Sequence, residues 1–374
     1  MKKMVALTLA LLMAASLFLS GCSVRKDTSD SENSGSSNGS GSGDRVVNVC
    51  SWGEYIDESL IDQFEEATGI KVNYQTAESN EVLYSQLSMG GVDYDVIVPS
   101  DYMISQLIEE DMLAELNYDN IPNFEKIDDR FKNLSYDPEN KYTVPYTWGT
   151  TGIIYNSKYV DEADVTGWEL LWNEKYAGKI LMFDNSRDAF GIAEYLLGYS
   201  VNSTDSAELQ ACADKLAEQK PVVQQYVMDQ IFDKMINNEA AMGTYYAGDY
   251  LTMLENNGDL AFVVPEEGSN WFVDAMCVLK SSQHKDEAME WINFIAGTDA
   301  SLANMDYIWY ASPNAEALET YPAYYEETYG EPLDPALYEI MAPSQEVLDR
   351  CEAYLVLPAE TRTLYNDLWT QLGI

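Results

Sequence analysis

Six short stretches of the chain are rich in aromatic rings, with acids among them: "SWGEY" (Ser51 to Tyr55), "PSDY" (Pro99 to Tyr102), "DNSRDAF" (Asp184 to Phe190), "GTYYAGDY" (Gly243 to Tyr250), "NWFVDAM" (Asn270 to Met276) and "IWYASPN" (Ile308 to Asn314). The negative face of a Trp or Tyr ring attracts an ammonium group, by about 2 kcal/mol per contact once water is excluded. A carboxylate adds a charge-assisted hydrogen bond of roughly 1.5 to 3 kcal/mol. The same rings offer apolar walls to methylenes. This set suits a flexible apolar chain with separated positive charges better than a sugar, which calls for more neutral amides.

Covalent chemistry finds few candidates. These loops hold no GxSxG elbow, no glycine-rich phosphate loop and no HExxH, and the single histidine, His284, stands in the polar stretch "SSQHKDE" and reads as a surface residue. No catalytic residue, metal ligand set or cofactor site is assigned. Paired carboxylates alone could hydrolyse glycosides, so an extracellular carboxylate-dependent hydrolase stays open as the alternative to a binding protein, as does a receptor for another small cation or a sugar.

The elements that must position these loops alternate. "RVVNV" reads as a strand, Glu58 to Thr68 as a helix ended by Gly69, "IKVNY" as a strand, "NEVLYSQLSMG" as a helix, "YDVIVPS" as a buried strand and "YMISQLIEEDML" as a helix. After "VPYTWGTTGIIYN" the pattern resumes with "GKILMFD" as a strand and "AFGIAEYLLGYS" as a helix, then further βα material to Leu279. Such alternation predicts an α/β fold of βαβ units around a parallel sheet, with ligands at the carboxyl ends of the strands. "SWGEY" and "PSDY" fall at such ends.

At the N-terminus Lys2 and Lys3 precede an apolar run to Leu19 and the small residues of "LSGC". This reads as a secretory signal over 1–21, cut before a lipidated Cys22 as in bacterial lipoproteins, and followed by a Ser/Gly tether over 22–44. The whole chain carries 63 acidic against 21 basic residues, which disfavours nucleic acid and anionic lipid headgroups as partners and favours a cation. Four further cysteines, Cys50, Cys212, Cys277 and Cys351, form no CxxC pair; disulfides and free thiols remain equally open.

Segments recurring in one order, "SWGEYI", "FEEATGIKVNY", "ESNEVLYSQL", "YDVIVPSDYMI", "VPYTWGTTGI", "LWNEKYAGKI", "DNSRDAF", "WFVDAM", "WINFI" and "YASPN", make the chain from about Val46 onward resemble the polyamine-binding proteins of spermidine/putrescine ABC importers. The resemblance implies the two-lobed periplasmic-binding fold (type II) with ligand in the inter-lobe cleft, one lobe from 46–150 plus 275–318 and the other from 151–274 plus 319–374. It implies a monomer that passes a polyamine to ABC permease subunits, at the outer face of the cytoplasmic membrane or in the periplasm. It makes Trp52, Tyr55, Ser100, Tyr102, Asn185, Asp188, Tyr246, Trp271, Phe272, Asp274 and Tyr310 the ligand-binding set. Within "DNSRDAF" the family often has two acids where this chain has Asn185 and Asp188, so one countercharge fewer is expected and residue 185 is expected to face an amine. Leu355 stands where relatives place an amide, with Glu352 close by.

Overall fold

The computed structural model describes residues 45–374. The signal segment, Cys22 and the tether lie outside the described residues. The first half begins with β1 (Val46–Trp52), α1 (Ser59–Thr68), β2 (Lys71–Ala77), α2 (Asn80–Met89), β3 (Val96–Ile97) and α3 (Asp101–Glu109). Local signals explain the boundaries. Gly69 takes φ 70° and its N–H closes on the Glu65 carbonyl at 2.9 Å, ending α1 with a left-handed residue that glycine adopts without steric cost. Ser79 caps α2 by accepting from the Val82 N–H. The strand expected over "YDVIVPS" keeps only two residues, because Pro99 has no N–H to continue a ladder and the chain turns at once into α3.

A long strand, β4 (Thr143–Asn156), follows three short 3-10 turns and is buried along almost its whole length. Next come β5 (Ile180–Phe183), α4 (Ser186–Leu197), α5 (Ser206–Gln219), β6 (Val223–Val227), α6 (Gln230–Ile236), β7 (Met242–Tyr246), α7 (Ala247–Leu254), β8 (Leu260–Val263) and β9 (Ser269–Val278). The chain closes with α8 (Lys285–Ile295), α9 (Thr298–Ile308), α10 (Ala315–Tyr329), α11 (Pro335–Met341), α12 (Gln345–Leu348), β10 (Cys351–Glu352) and α13 (Ala359–Leu372).

The strands lie in the order β2-β1-β3-β9-β4-β7-β5-β6, with β10 on β9 and β8 on β4. β1 runs parallel to β2 and β3, and β5 parallel to β6 and β7, as βαβ connections require. The parallel pairing expected from the alternation holds within each βαβ group, while between them β9 pairs antiparallel with β3 and β4, and β4 antiparallel with β7 and β8. These are long excursions of the chain between the two βαβ groups, which nothing in local periodicity reveals. Thr143 to Thr150 of β4 pair with β9, and from Thr151 the same strand pairs with β7. One apolar interior runs through both groups, with Val49, Ile97, Ile104 and Leu107 from the first and Trp168, Ile180, Phe183 and Phe190 from the second, all at most 1% exposed. The four described cysteines are free thiols, three of them buried. Among the described residues no helix is long and apolar enough to cross a membrane.

Candidate functional site

The carboxyl ends of the strands open on a narrow cavity of ≈ 80 Å³. Its lining holds seven carboxylic side chains and no basic one. Five of those acids stand at helix N-termini: Glu81, Asp101, Asp188 and Asp249 in the first turns of α2, α3, α4 and α7, and Asp229 at the cap of α6. A helix N-terminus carries partial positive charge and unpaired N–H groups, which by themselves would select an anion. Here the first turn supplies its own anion, so the cleft presents oxygen to whatever binds.

Five of the acids each accept a hydrogen bond from a tyrosine. Tyr55 donates to Asp274 at 2.8 Å, Tyr102 to Glu81 at 2.8 Å, Tyr245 to Asp229 at 2.9 Å, Tyr246 to Asp188 at 2.7 Å and Tyr310 to Asp249 at 2.9 Å. Each bond turns a ring along the cavity wall and steadies a negative oxygen. The rings also touch one another in a belt: Tyr55 on Tyr310 at 4.9 Å, Tyr310 on Phe272 at 6.3 Å, Phe272 on Tyr246 at 5.4 Å and Tyr246 on Tyr245 at 4.8 Å. The Tyr55–Tyr310 and Phe272–Tyr246 pairs are edge-to-face and the other two tilted, and edge-to-face pairs fix ring orientation beyond what area burial alone would do.

Asp274 is the most enclosed of these acids, 3% exposed in the middle of β9. Its Oδ2 accepts from both Trp52 Nε1 at 3.0 Å and Tyr55, while its Oδ1 is buried without a partner. Burial pushes the carboxyl up to about 6, against the pull of the hydrogen bonds from Tyr55 and Trp52. Burial likewise raises Asp188, despite its bonds from Tyr246 and Asn185, and holds Asp249 well above the carboxylate range; it pushes Asp101 up to about 8. Each rise expresses the cost of a buried negative charge awaiting a counterion.

Of the residues expected to line the site, Trp52, Tyr55, Ser100, Tyr102, Asn185, Asp188, Tyr246, Phe272, Asp274 and Tyr310 do so. Trp271 does not. In β9 it opposes Thr150 while Phe272 opposes Gly149, and successive strand residues face opposite sides of the sheet, so the parity that aims Phe272 and Asp274 inward turns Trp271 away. Asn185 reaches the cavity wall but its side chain is engaged locally. It caps α4 by accepting from the Asp188 N–H at 2.8 Å and donates to Asp188 Oδ2 at 2.8 Å. Capping also explains why α4 starts three residues before the expected "AFGIAEYLLGYS". Arg187 turns out of the cavity, with its guanidinium bonded to Asn202, Tyr365 and the Leu355 carbonyl and placed 4.5 Å from the Tyr354 ring centre. Neither Leu355 nor Glu352 lines the cavity; Tyr354 takes that part of the wall.

Glu81, Asp229 and Asp249 were not singled out in the sequence. Asp249 lies three residues after Tyr246 in "GTYYAGDY", a stretch read for its rings, and Glu81 and Asp229 sit where helices start after strands, the position that a βα reading marks as facing a cleft. Among the described residues no group of three or more His, Cys, Asp or Glu is placed to hold a metal ion.

A two-lobed α/β chain with an enclosed acidic and aromatic cavity where two groups of strand ends meet is the architecture of a solute-binding protein. The profile of the bacterial extracellular solute-binding protein family matches residues 59–328, and the chain belongs to that family. It is 33% identical over 267 residues, 71% of this chain and 77% of the relative, to the spermidine/putrescine-binding periplasmic protein of Escherichia coli K12. A solved Listeria monocytogenes structure assigned to spermidine/putrescine ABC transport superposes with a TM-score of 0.82 at 37% identity, covering 88% of this chain and 99% of its own. The TpPotD lipoprotein of Treponema pallidum superposes with a TM-score of 0.74 at 25% identity, covering 87% and 99%.

Proposed function

We propose that the chain is the receptor of an ABC importer, which captures spermidine or putrescine in the inter-lobe cavity and hands it to permease subunits in the membrane. The observation that carries this reading is Asp274, with one oxygen pinned by Trp52 and Tyr55 and the other buried and unpartnered. An ammonium supplies the missing donor and the missing charge together, in a place where an unpaired buried carboxylate is costly. Asp188 beside Tyr246 and Asp249 beside Tyr310 offer further countercharges, and Glu81 another beside Tyr102. Asn185 therefore does not leave a third amine without a partner, and the set favours a triamine such as spermidine. The names of the relatives point the same way.

The cycle follows from the same groups. Amines displace water and protons from the raised carboxyls, the ring faces cover the methylenes, and closure of the lobes removes the remaining solvent, which strengthens each charge pair. We place the lobe boundaries near 150, 274 and 318, the first two where β4 and β9 run between the two βαβ groups. We further read Cys22 as the lipid anchor, the protein as a monomer, and its location as the outer face of the membrane or the periplasm. Nucleic acid has no place in this reading, and neither does catalysis: the receptor releases its ligand unchanged. Calorimetric titration with spermidine, putrescine and a neutral disaccharide, followed by mass spectrometry of the recovered ligand, tests it. Tight binding of an unaltered amine is expected; binding of the sugar alone, or conversion of the ligand, would overturn it.

A further inference from the structure

A second groove of ≈ 600 Å³ lies beside the cavity, between α2 and α3 on one side and α4, α13 and residues 355–359 on the other. The two linings share two residues, Glu81 and Tyr102, and these are hydrogen-bonded to each other. One side-chain pair is thus the partition between a tight acidic cavity and a much roomier channel.

The groove differs in chemistry from the cavity. Its only carboxylate is the shared Glu81, while Arg187 and Arg362 both line it. Arg187 is occupied by Tyr365, Asn202 and the Leu355 carbonyl, and Arg362 donates to the Leu357 carbonyl at 2.8 Å and stands 3.8 Å from Glu110. Both guanidiniums are thus satisfied within the protein, Arg362 beside Glu109 and Glu110, and neither asks a ligand for an anion. Two of the exposed large apolar side chains of the described residues, Met89 (76% exposed) and Leu355 (46% exposed), face this groove from opposite walls. An uncharged, partly apolar group is what such a channel accepts.

We propose that the groove receives the uncharged end of an N-acylated polyamine, threaded past Glu81 and Tyr102 while its remaining ammonium groups stay in the cavity. The inference rests on the polyamine reading and extends its ligand class. The groove begins where Glu81 stands, the one carboxylate that the two linings share. A terminal nitrogen that has lost its charge by acylation needs no carboxylate beyond that point, only a hydrogen-bonding and apolar surface.

Calorimetry with spermidine, N-acetylspermidine and N-butanoylspermidine tests this on the parent and on Ser85→Trp, which places a large ring in the groove from an exposed helix position. The parent is expected to bind the acyl forms within about tenfold of spermidine. Ser85→Trp is expected to weaken the acyl forms at least about tenfold and to leave spermidine within about twofold. Leu355→Asp, on the opposite wall, is expected to weaken N-butanoylspermidine alone and serves if the first variant does not fold. If the parent binds spermidine and rejects both acyl forms, or if both groove variants weaken all three ligands equally, the groove is not a tail site and the polyamine reading stands. If spermidine itself does not bind, that reading falls and this one with it.

Discussion

Tyr55 donates to Oδ2 of Asp274 at 2.8 Å, and that bond decides which oxygen of the carboxylate is left for a ligand. With Trp52 on the same oxygen, Oδ1 is the free acceptor. The loop after β1 therefore grips the acid that grips the amine.

Asp274→Asn removes the countercharge while keeping the shape, and such losses typically cost about 3 to 5 kcal/mol. Polyamine affinity by calorimetry is expected to fall at least a hundredfold. Tyr55→Phe should cost less, about 1.5 to 3 kcal/mol, since it frees one charge-assisted bond. Unchanged affinity in Asp274→Asn would remove this residue from the site.

Strand parity makes a paired expectation. Phe272→Ala opens the ring belt between Tyr246 and Tyr310 and is expected to weaken binding tenfold or more, by about 1.5 kcal/mol or above. Trp271→Ala, on the other face of β9, is expected to leave affinity within about threefold. The reverse order would mean that β9 presents its other face to the ligand.

Asn185→Asp sets a second carboxylate against Asp188 where an amide now donates at 2.8 Å. Like charges at that distance share a proton, so the Asp188 carboxyl should rise further. The pH at which spermidine affinity levels off is expected to move up by about one unit. An identical pH profile in parent and variant would show that residue 185 does not govern Asp188.

The pH response of the parent follows from the raised carboxyls. Asp274 is pushed from an ordinary 3.8 up to about 6, so between these values the folded, empty receptor binds more protons than the unfolded chain. Its stability contribution is therefore present at low pH and lost as pH rises through about 6. Ligand amines compete with those protons, and affinity is expected to fall by up to about tenfold per pH unit below 6 for each carboxyl that must release one. Thermal melts of the empty receptor are expected to hold or rise between pH 7 and 5 while the ligand-induced shift shrinks. A ligand shift that does not change over this range would count against buried carboxylates as the anchors.

Cys22→Ser tests the anchor, because a diacyl chain supplies the membrane affinity and the change removes it. The variant is expected in the soluble or unprocessed fraction; full retention on the membrane in processed form would set the lipoprotein reading aside.

Much of this site was legible because strand ends and helix starts leave marks in sequence. Gly69 stops α1 where a left-handed residue is needed, and "SWGEY" follows a buried strand, so the loop's place at a cleft could be read directly. Phe272 over Trp271 was not: both rings were taken into the site, although strand parity from Asp274, two residues on, separates them. Glu81, Asp229 and Asp249 were passed over: their places at helix starts are marked locally, but among 63 acids only the assembled fold selects which of such places meet. The antiparallel pairing of β4 and β9 escaped for the same reason: periodicity reports burial, and long-range register depends on where distant segments return.

β4 has one further consequence, for what the molecule tolerates when it is cut. Its fourteen residues serve one βαβ group up to Thr150 and the other from Thr151 without a linker between them. A fragment ending inside it would leave β9 or β7 with a bare row of backbone donors and acceptors along a buried, apolar strand, the kind of edge that pairs with other chains. The two halves are one folding unit, and fusions or permutations belong in the surface turns, away from this strand.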